Sequence, residues 1–180
     1  METKNYIIDI LGDIISKIKV TKPLISPVEY FSINFQPGNS SQIINSLMQL
    51  DGTSLNGLKY PLIALKMPFS VSKNFNIQEV TFSKIIIANI TKTGTNNENV
   101  LDKYSSDSVF KNIIHHIKDE LIVQIAQSKY TAIGDPDMYD FTWKEFPFSG
   151  EIAEGVSDYV DFIEISNLKV QFYSSLKQCN

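Results

Sequence analysis

The sequence predicts an α+β domain, with a single mixed, mainly antiparallel sheet and helices packed on it. Three observations carry this. Lys59-Tyr60-Pro61-Leu62-Ile63-Ala64-Leu65-Lys66-Met67-Pro68-Phe69 sets four apolar residues in a row between two prolines, the pattern of a short strand buried on both faces. Residues 81–91 repeat that pattern with Phe82, Ile85, Ile86, Ile87, Ala88 and Ile90. Residues 108–127 carry apolar side chains three and four apart, the period of a helix lying on such a sheet.

Taken in order, residues 4–19 form an amphipathic helix. Ile7, Ile10, Leu11, Ile14 and Ile18 recur on one side, with Asp9, Asp13, Ser16 and Lys17 between them. Thr3 suits the N-cap, and Pro23 ends the helical region before it. Residues 28–35 alternate, with Phe31, Ile33 and Phe35 on one face and Tyr30, Ser32 and Asn34 on the other. That is a half-buried strand. Pro37-Gly38-Asn39 then turns the chain. Asn39 with Gln42 three residues on makes a capping-box start for a helix over 40–50, which Asp51-Gly52 stops.

The strand at 60–67 follows. Proline has no N–H for a ladder, so Pro61 belongs at its first position and Pro68 at its exit. Residues 70–80 read as a polar loop crossing an edge, and 81–91 as the second strong strand beside 60–67. Residues 92–107 are a long polar connection, either a floppy loop or a functional arm. The helix over 108–127 buries Phe110, Ile113, Ile114, Ile117, Leu121 and Ile125 and turns Lys111, Lys118, Asp119 and Glu120 to water. Residues 128–157 mix aromatics with turn formers, an irregular segment with a short strand near 140–146. The last strand, 158–172, changes phase between Ile163, Ile165 and Leu168, Val170, Phe172. A bulge or tight bend at Ser166-Asn167 accounts for that. The order is α-β-α-β-β-α-β, one domain over 1–180.

Composition narrows the function. At 180 residues and 43% hydrophobic, the chain can bury a real core. A net charge of −4 argues against a protein that lives by gripping phosphate backbones. The single cysteine, Cys179, allows no disulfide framework. The N-terminal apolar residues are interrupted by Asp9, Asp13 and Lys17, so they do not read as a signal peptide, and no window approaches a membrane span. The expectation is a protein made and folded in a cytoplasm.

No motif points to catalysis. Adjacent His115 and His116 on a helix point about 100° apart and cannot share a metal. Asp135, Asp137 and Asp140 lack the glycine and terminal glutamate of a calcium loop. Asp158, Asp161 and Glu164 sit at odd and even strand positions and do not converge. GxSxG, P-loop and GxGxxG patterns are absent. The expectation is a protein that is not an enzyme and carries no cofactor or metal. What stands out is aromatic content in connecting segments: Tyr30, Tyr104, Tyr139, Phe141, Trp143 and Phe148. Such residues either anchor protein–protein contacts or cap the ends of the sheet, and for 139–148 both readings stand.

The blocks Lys59-Tyr60-Pro61-Leu62-Ile63-Ala64-Leu65 and Asp158-Tyr159-Val160-Asp161-Phe162-Ile163-Glu164-Ile165-Ser166-Asn167-Leu168 resemble a family of structural proteins from tailed phages of gut Bacteroidetes, crAss-like phages among them. Trp143 upstream of the second block, and Ile85-Ile86-Ile87-Ala88 followed by Thr91, are similar to the same pattern. The resemblance runs in order over residues 1–173 and departs from the pattern at 104–116. There this chain has Lys103-Tyr104 and a helix start without proline, in place of an arginine–tyrosine pair and a proline.

The resemblance implies a tail-terminator- or neck-protein-like fold in a virion protein of the head–tail connector and tail-completion region. It implies a homo-oligomeric ring, six- or twelve-fold, between portal or connector and tail proteins, with DNA passing through without sequence-specific binding and no membrane. It places the protein in the virion neck or tail, and in the host cytoplasm during assembly. The interface candidates are Lys103 and Tyr104 on the arm and Tyr139, Phe141, Trp143 and Phe148 on the aromatic segment. The alternatives are a small phage-encoded enzyme of nucleotide or ligand metabolism and a host-directed adaptor.

Overall fold

Leu62, Ile63, Ala64 and Leu65 are each at most 1% exposed, and the fold is built outward from the strand they make. The computed structural model describes residues 6–21, 30–50, 59–90, 110–149 and 160–173. The chain runs α1 (Tyr6–Ile15), β1 (Val20–Thr21), β2 (Tyr30–Phe31), β3 (Asn34–Gly38), α2 (Ser40–Leu50), β4 (Leu62–Lys66), β5 (Ser70–Asn74) and β6 (Ile77–Ile90). A π-helical stretch, Phe110–His115, continues into α3 (His116–Ala126), and a 3-10 turn at Pro136–Met138 precedes β7 (Thr142–Ser149) and β8 (Val160–Tyr173). The expected arm at 92–107 and the expected caps at Thr3, Asp51-Gly52 and 107–108 lie outside the described residues.

The architecture is α+β: one mixed sheet of six strands in the order β3-β4-β6-β8-β7, with β5 also on β6, and three helices against it. Only β3 and β4 are parallel; the other pairs are antiparallel. A parallel pair needs a crossover, and the β3–β4 connection contains α2. Alternation along β4 divides the core. Ile63 and Leu65 join α1 and α3 on one face, and Leu62 and Ala64 join Ile43 and Leu47 of α2 on the other. Burial of β4 on both faces follows from helices on both sides of the sheet. Pro61 and Pro68 bracket it as expected, each through a cis peptide bond.

The start of α2 is a closed capping box. The Asn39 N–H donates to Gln42 Oε1 and the Gln42 N–H donates to Asn39 Oδ1, both at 2.9 Å. Just before it, a Cβ on Gly38 would meet Gln42 at 3.1 Å. The close seat of the cap on the strand end therefore favours glycine there.

Two expected boundaries are corrected. The strand expected over 28–35 is two strands. Tyr30–Phe31 pairs with Val20–Thr21 in a separate two-stranded sheet, and the main-sheet strand runs through Pro37 and Gly38. Pro37 is tolerated because β3 is an edge. The Asn34 N–H and Gly38 C=O bond toward β4, so Pro37 turns its missing donor outward. Residues 70–80 are not a loop. They form β5, a two-residue turn at Phe75-Asn76 and the start of β6. All five β5 residues are exposed, so no apolar alternation marks the strand.

β6 and β8, fourteen residues each, form the spine of the sheet. Their buried positions change phase together. Val80 and Phe82 give way to Ile85 and Ile87, and Ile163 and Ile165 give way to Leu168, Val170 and Phe172. The pairing of Phe82 with Leu168 and of Lys84 with Ser166 keeps one register, which sets Ser83 opposite Asn167. Asn167 has φ 58, a left-handed conformation that asparagine tolerates. The expected irregularity at Ser166-Asn167 is thus a tight bend matched residue for residue across the ladder. Ser83 Oγ also donates to Pro68 O at 3.3 Å. A fold line therefore crosses the sheet at Pro68, Ser83 and Asn167.

Candidate functional site

Among the described residues the sheet ends at β7, and what β7 carries is held from one side by the helix. Trp143 pairs with Ile165 and Glu145 with Ile163, so both side chains lie on the face that α3 covers. The Lys118 ammonium sits 4.4 Å from the centre of the Trp143 ring and 3.0 Å from Asp119 Oδ1. The helical pattern predicts that Lys118 faces water, yet it is 8% exposed. Its stem lies in the core boundary while its charge meets the indole face, an attraction worth about 0.5–2 kcal/mol. One turn back, His115 Nε2 lies 3.4 Å from Glu145 Oε1. Next to it, His116 Nε2 donates to Lys19 O at 3.1 Å. The two histidines point to different neighbours, as adjacent helical residues must.

Trp143 itself is 48% exposed. The Phe141 ring lies 5.8 Å from it, tilted by 43°, and Phe141 is half-buried against the main core. Trp143 is therefore a half-open aromatic on an edge strand, packed on Phe141 with a cation over its ring. Tyr139 is different: it is 7% exposed and its hydroxyl donates to Ile133 O at 2.7 Å. Burial pushes its phenol above the ordinary 10, with Thr131 pulling the other way. Tyr139 belongs to the core rather than to a contact surface. Lys103 and Tyr104 lie outside the described residues, as does the side chain of Phe148. Of the six interface candidates, the structure brings together Phe141 and Trp143.

On the opposite face of β7 and β8, Phe146 stacks on Phe162 at 4.4 Å, beside the Lys84–Glu164 ion pair at 2.6 Å. Asp161 is 1% exposed on the α3 face, and Glu164 points the other way, so these carboxylates do not converge. Asp135 Oδ1 accepts the Asp137 N–H at 3.0 Å, which makes this acidic run an Asp-held turn. Among the described residues, no three His, Cys, Asp or Glu side chains cluster as metal ligands, and no helix is long and apolar enough to cross a membrane.

One exposed feature carries no periodic signal in the sequence. Phe75, at the tip of the β5–β6 hairpin, is 91% exposed with φ 51. A shallow cleft of about 460 Å³ runs beside it, lined by Ser72, Asn74, Ile77, Glu79 and Gln171. The Gln171 amide donates to Glu79 Oε2 across its floor at 3.3 Å. The signal that could locate the tip is the pair of asparagines, 74 and 76, around a lone phenylalanine. No model of a known protein family matches the chain, and no curated protein does.

Proposed function

We propose that the chain is a non-enzymatic structural subunit that repeats in a ring, and that the ring belongs to the neck or tail-completion region of a tailed-phage particle. The observation that carries the association is Trp143, half-open on an edge strand and in contact with both Lys118 and Phe141. Rigid aromatics of this kind anchor contacts at low entropic cost. The particle is specified by the resemblance at residues 59–65 and 158–168. On this reading the ring is six- or twelve-fold, lies between portal or connector and tail proteins, and lets DNA pass without reading its sequence. Purified virions are the test. Mass spectrometry should find the chain there at ring stoichiometry, and images of the neck should show a ring of matching mass. A chain absent from particles and monomeric in solution would instead be the enzyme or the host-directed adaptor.

A further inference from the structure

We propose that the cleft beside the β5–β6 hairpin is a binding site for a neutral oligosaccharide. Such a site is independent of the ring reading above. Register lays the cleft out as two rows across three strands. Ser72 of β5 pairs with Glu79 of β6, and Glu79 with Gln171 of β8. One step along, Asn74 pairs with Ile77, and Ile77 with Tyr173. Alternation puts Gln171 and Tyr173 on one face, because Phe172 between them is 1% exposed in the core on the other. Each row spans about 10 Å, two strand spacings. Ser72, Asn74, Ile77, Glu79 and Gln171 line the cleft of about 460 Å³. Tyr173, 44% exposed, follows Ile77 at its edge.

The first row offers a hydroxyl, a carboxylate and an amide; the second offers an amide, an aliphatic chain and a phenol ring. The Gln171 amide donates to Glu79 Oε2 at 3.3 Å, which holds amide and carboxylate side by side. That bond uses one amide N–H and one carboxylate oxygen, and the rest of both groups is left to a ligand. Donors and acceptors set this close match neighbouring hydroxyls, each of which donates and accepts. The Tyr173 ring, electron-rich on its face, suits the C–H face of a sugar ring. Among the described residues no Lys or Arg lines the cleft, and Glu79 is the one charge there. Lys169, one row on, is paired with Asp140. Phosphates and carboxylates are therefore repelled rather than held. A lipid chain is disfavoured as well, since it would cover these polar groups without bonding them. An uncharged polyol with one apolar face meets both conditions, and the openness of the cleft suits several linked sugar rings.

The probes are maltohexaose, cellohexaose, mannohexaose, xylohexaose and chitohexaose, added at millimolar concentration to the isotope-labelled full chain. At least one should move the side-chain amide signals of Asn74 and Gln171 in nuclear magnetic resonance spectra, and the movement should saturate. Inorganic phosphate should leave them in place. Gln171→Ala and Tyr173→Ala should keep the circular dichroism of the wild type and weaken the binding about tenfold or more. Asn74→Ala, on a strand whose residues are all exposed, carries the same expectation should either β8 variant fail to fold. If none of the five sugars moves these signals, or phosphate moves them as a sugar does, the cleft is not a sugar site. Folded variants that all bind as the wild type does overturn it equally. The ring reading is untouched by any of these results.

Discussion

Ile63 has no room for a charge. It is 1% exposed, between β3 and β6, with helices α1 and α3 over its side chain. An unpaired buried carboxylate there costs several kcal/mol against a total stability of about 5–15 kcal/mol. Ile63→Asp should leave no soluble folded protein, and a wild-type-like melting curve would contradict the position of β4. Tyr139 gives a prediction in pH. Its phenol is held above 10 by burial, so the folded state favours the neutral form. Its contribution is complete below about pH 10, the ordinary value, and is lost as the unfolded and then the folded phenol ionise. Urea midpoints should therefore fall on the alkaline side, and less steeply in Tyr139→Phe. An equal alkaline slope in both proteins would show that this phenol does not contribute. Lys118 makes the third case. Lys118→Ala removes the cation from the Trp143 face and should cost about 0.5–2 kcal/mol, with the indole emission moving to the red.

Elements are legible in the sequence where burial is one- or two-sided and local. The apolar runs of β4 and β6 and the stripe of α3 are clear, because two-face burial and helical period write themselves into consecutive residues. β5 is not, because a strand with both faces in water has no alternation to show; it exists because β6 offers it a ladder. β3 is displaced from its expected place because edge strands admit proline, so Pro37-Gly38 resembles a turn. At the site, Trp143 stands out as an aromatic in a turn-rich segment. Its clamp by Lys118 does not, since that contact joins residues distant in sequence. The cap of α2 is fully local and matches the pattern of Asn39 and Gln42. Asn39→Ala removes the Oδ1 that accepts the Gln42 N–H and should cost about 1 kcal/mol, seen as a lower urea midpoint at unchanged slope. Wild-type stability in that variant would mean the box contributes nothing. Asn167→Gly, at φ 58, should by contrast be tolerated, because glycine adopts that conformation freely.

At the scale of the whole molecule, the sheet has two unlike ends. Register puts the start of β8 beside the end of β6 and the end of β7, and the start of β4 beside the end of β6. The connections over 51–58, 91–109 and 150–159 therefore all meet the sheet at one end. The Phe75 hairpin lies at the other, across the fold line through Pro68, Ser83 and Asn167. Residues 94–100 are polar or glycine except for Val100, so the chain loses little apolar surface with them, and shortening a long connection changes its closure entropy only slightly. Deleting them should leave the monomer's circular dichroism intact and its melting temperature within about 2–4 °C. If the loop end docks the ring onto the portal or tail, the same deletion should lower incorporation into virion necks. Full incorporation would remove the arm from the interface, and an unfolded monomer would show that the core depends on residues 94–100.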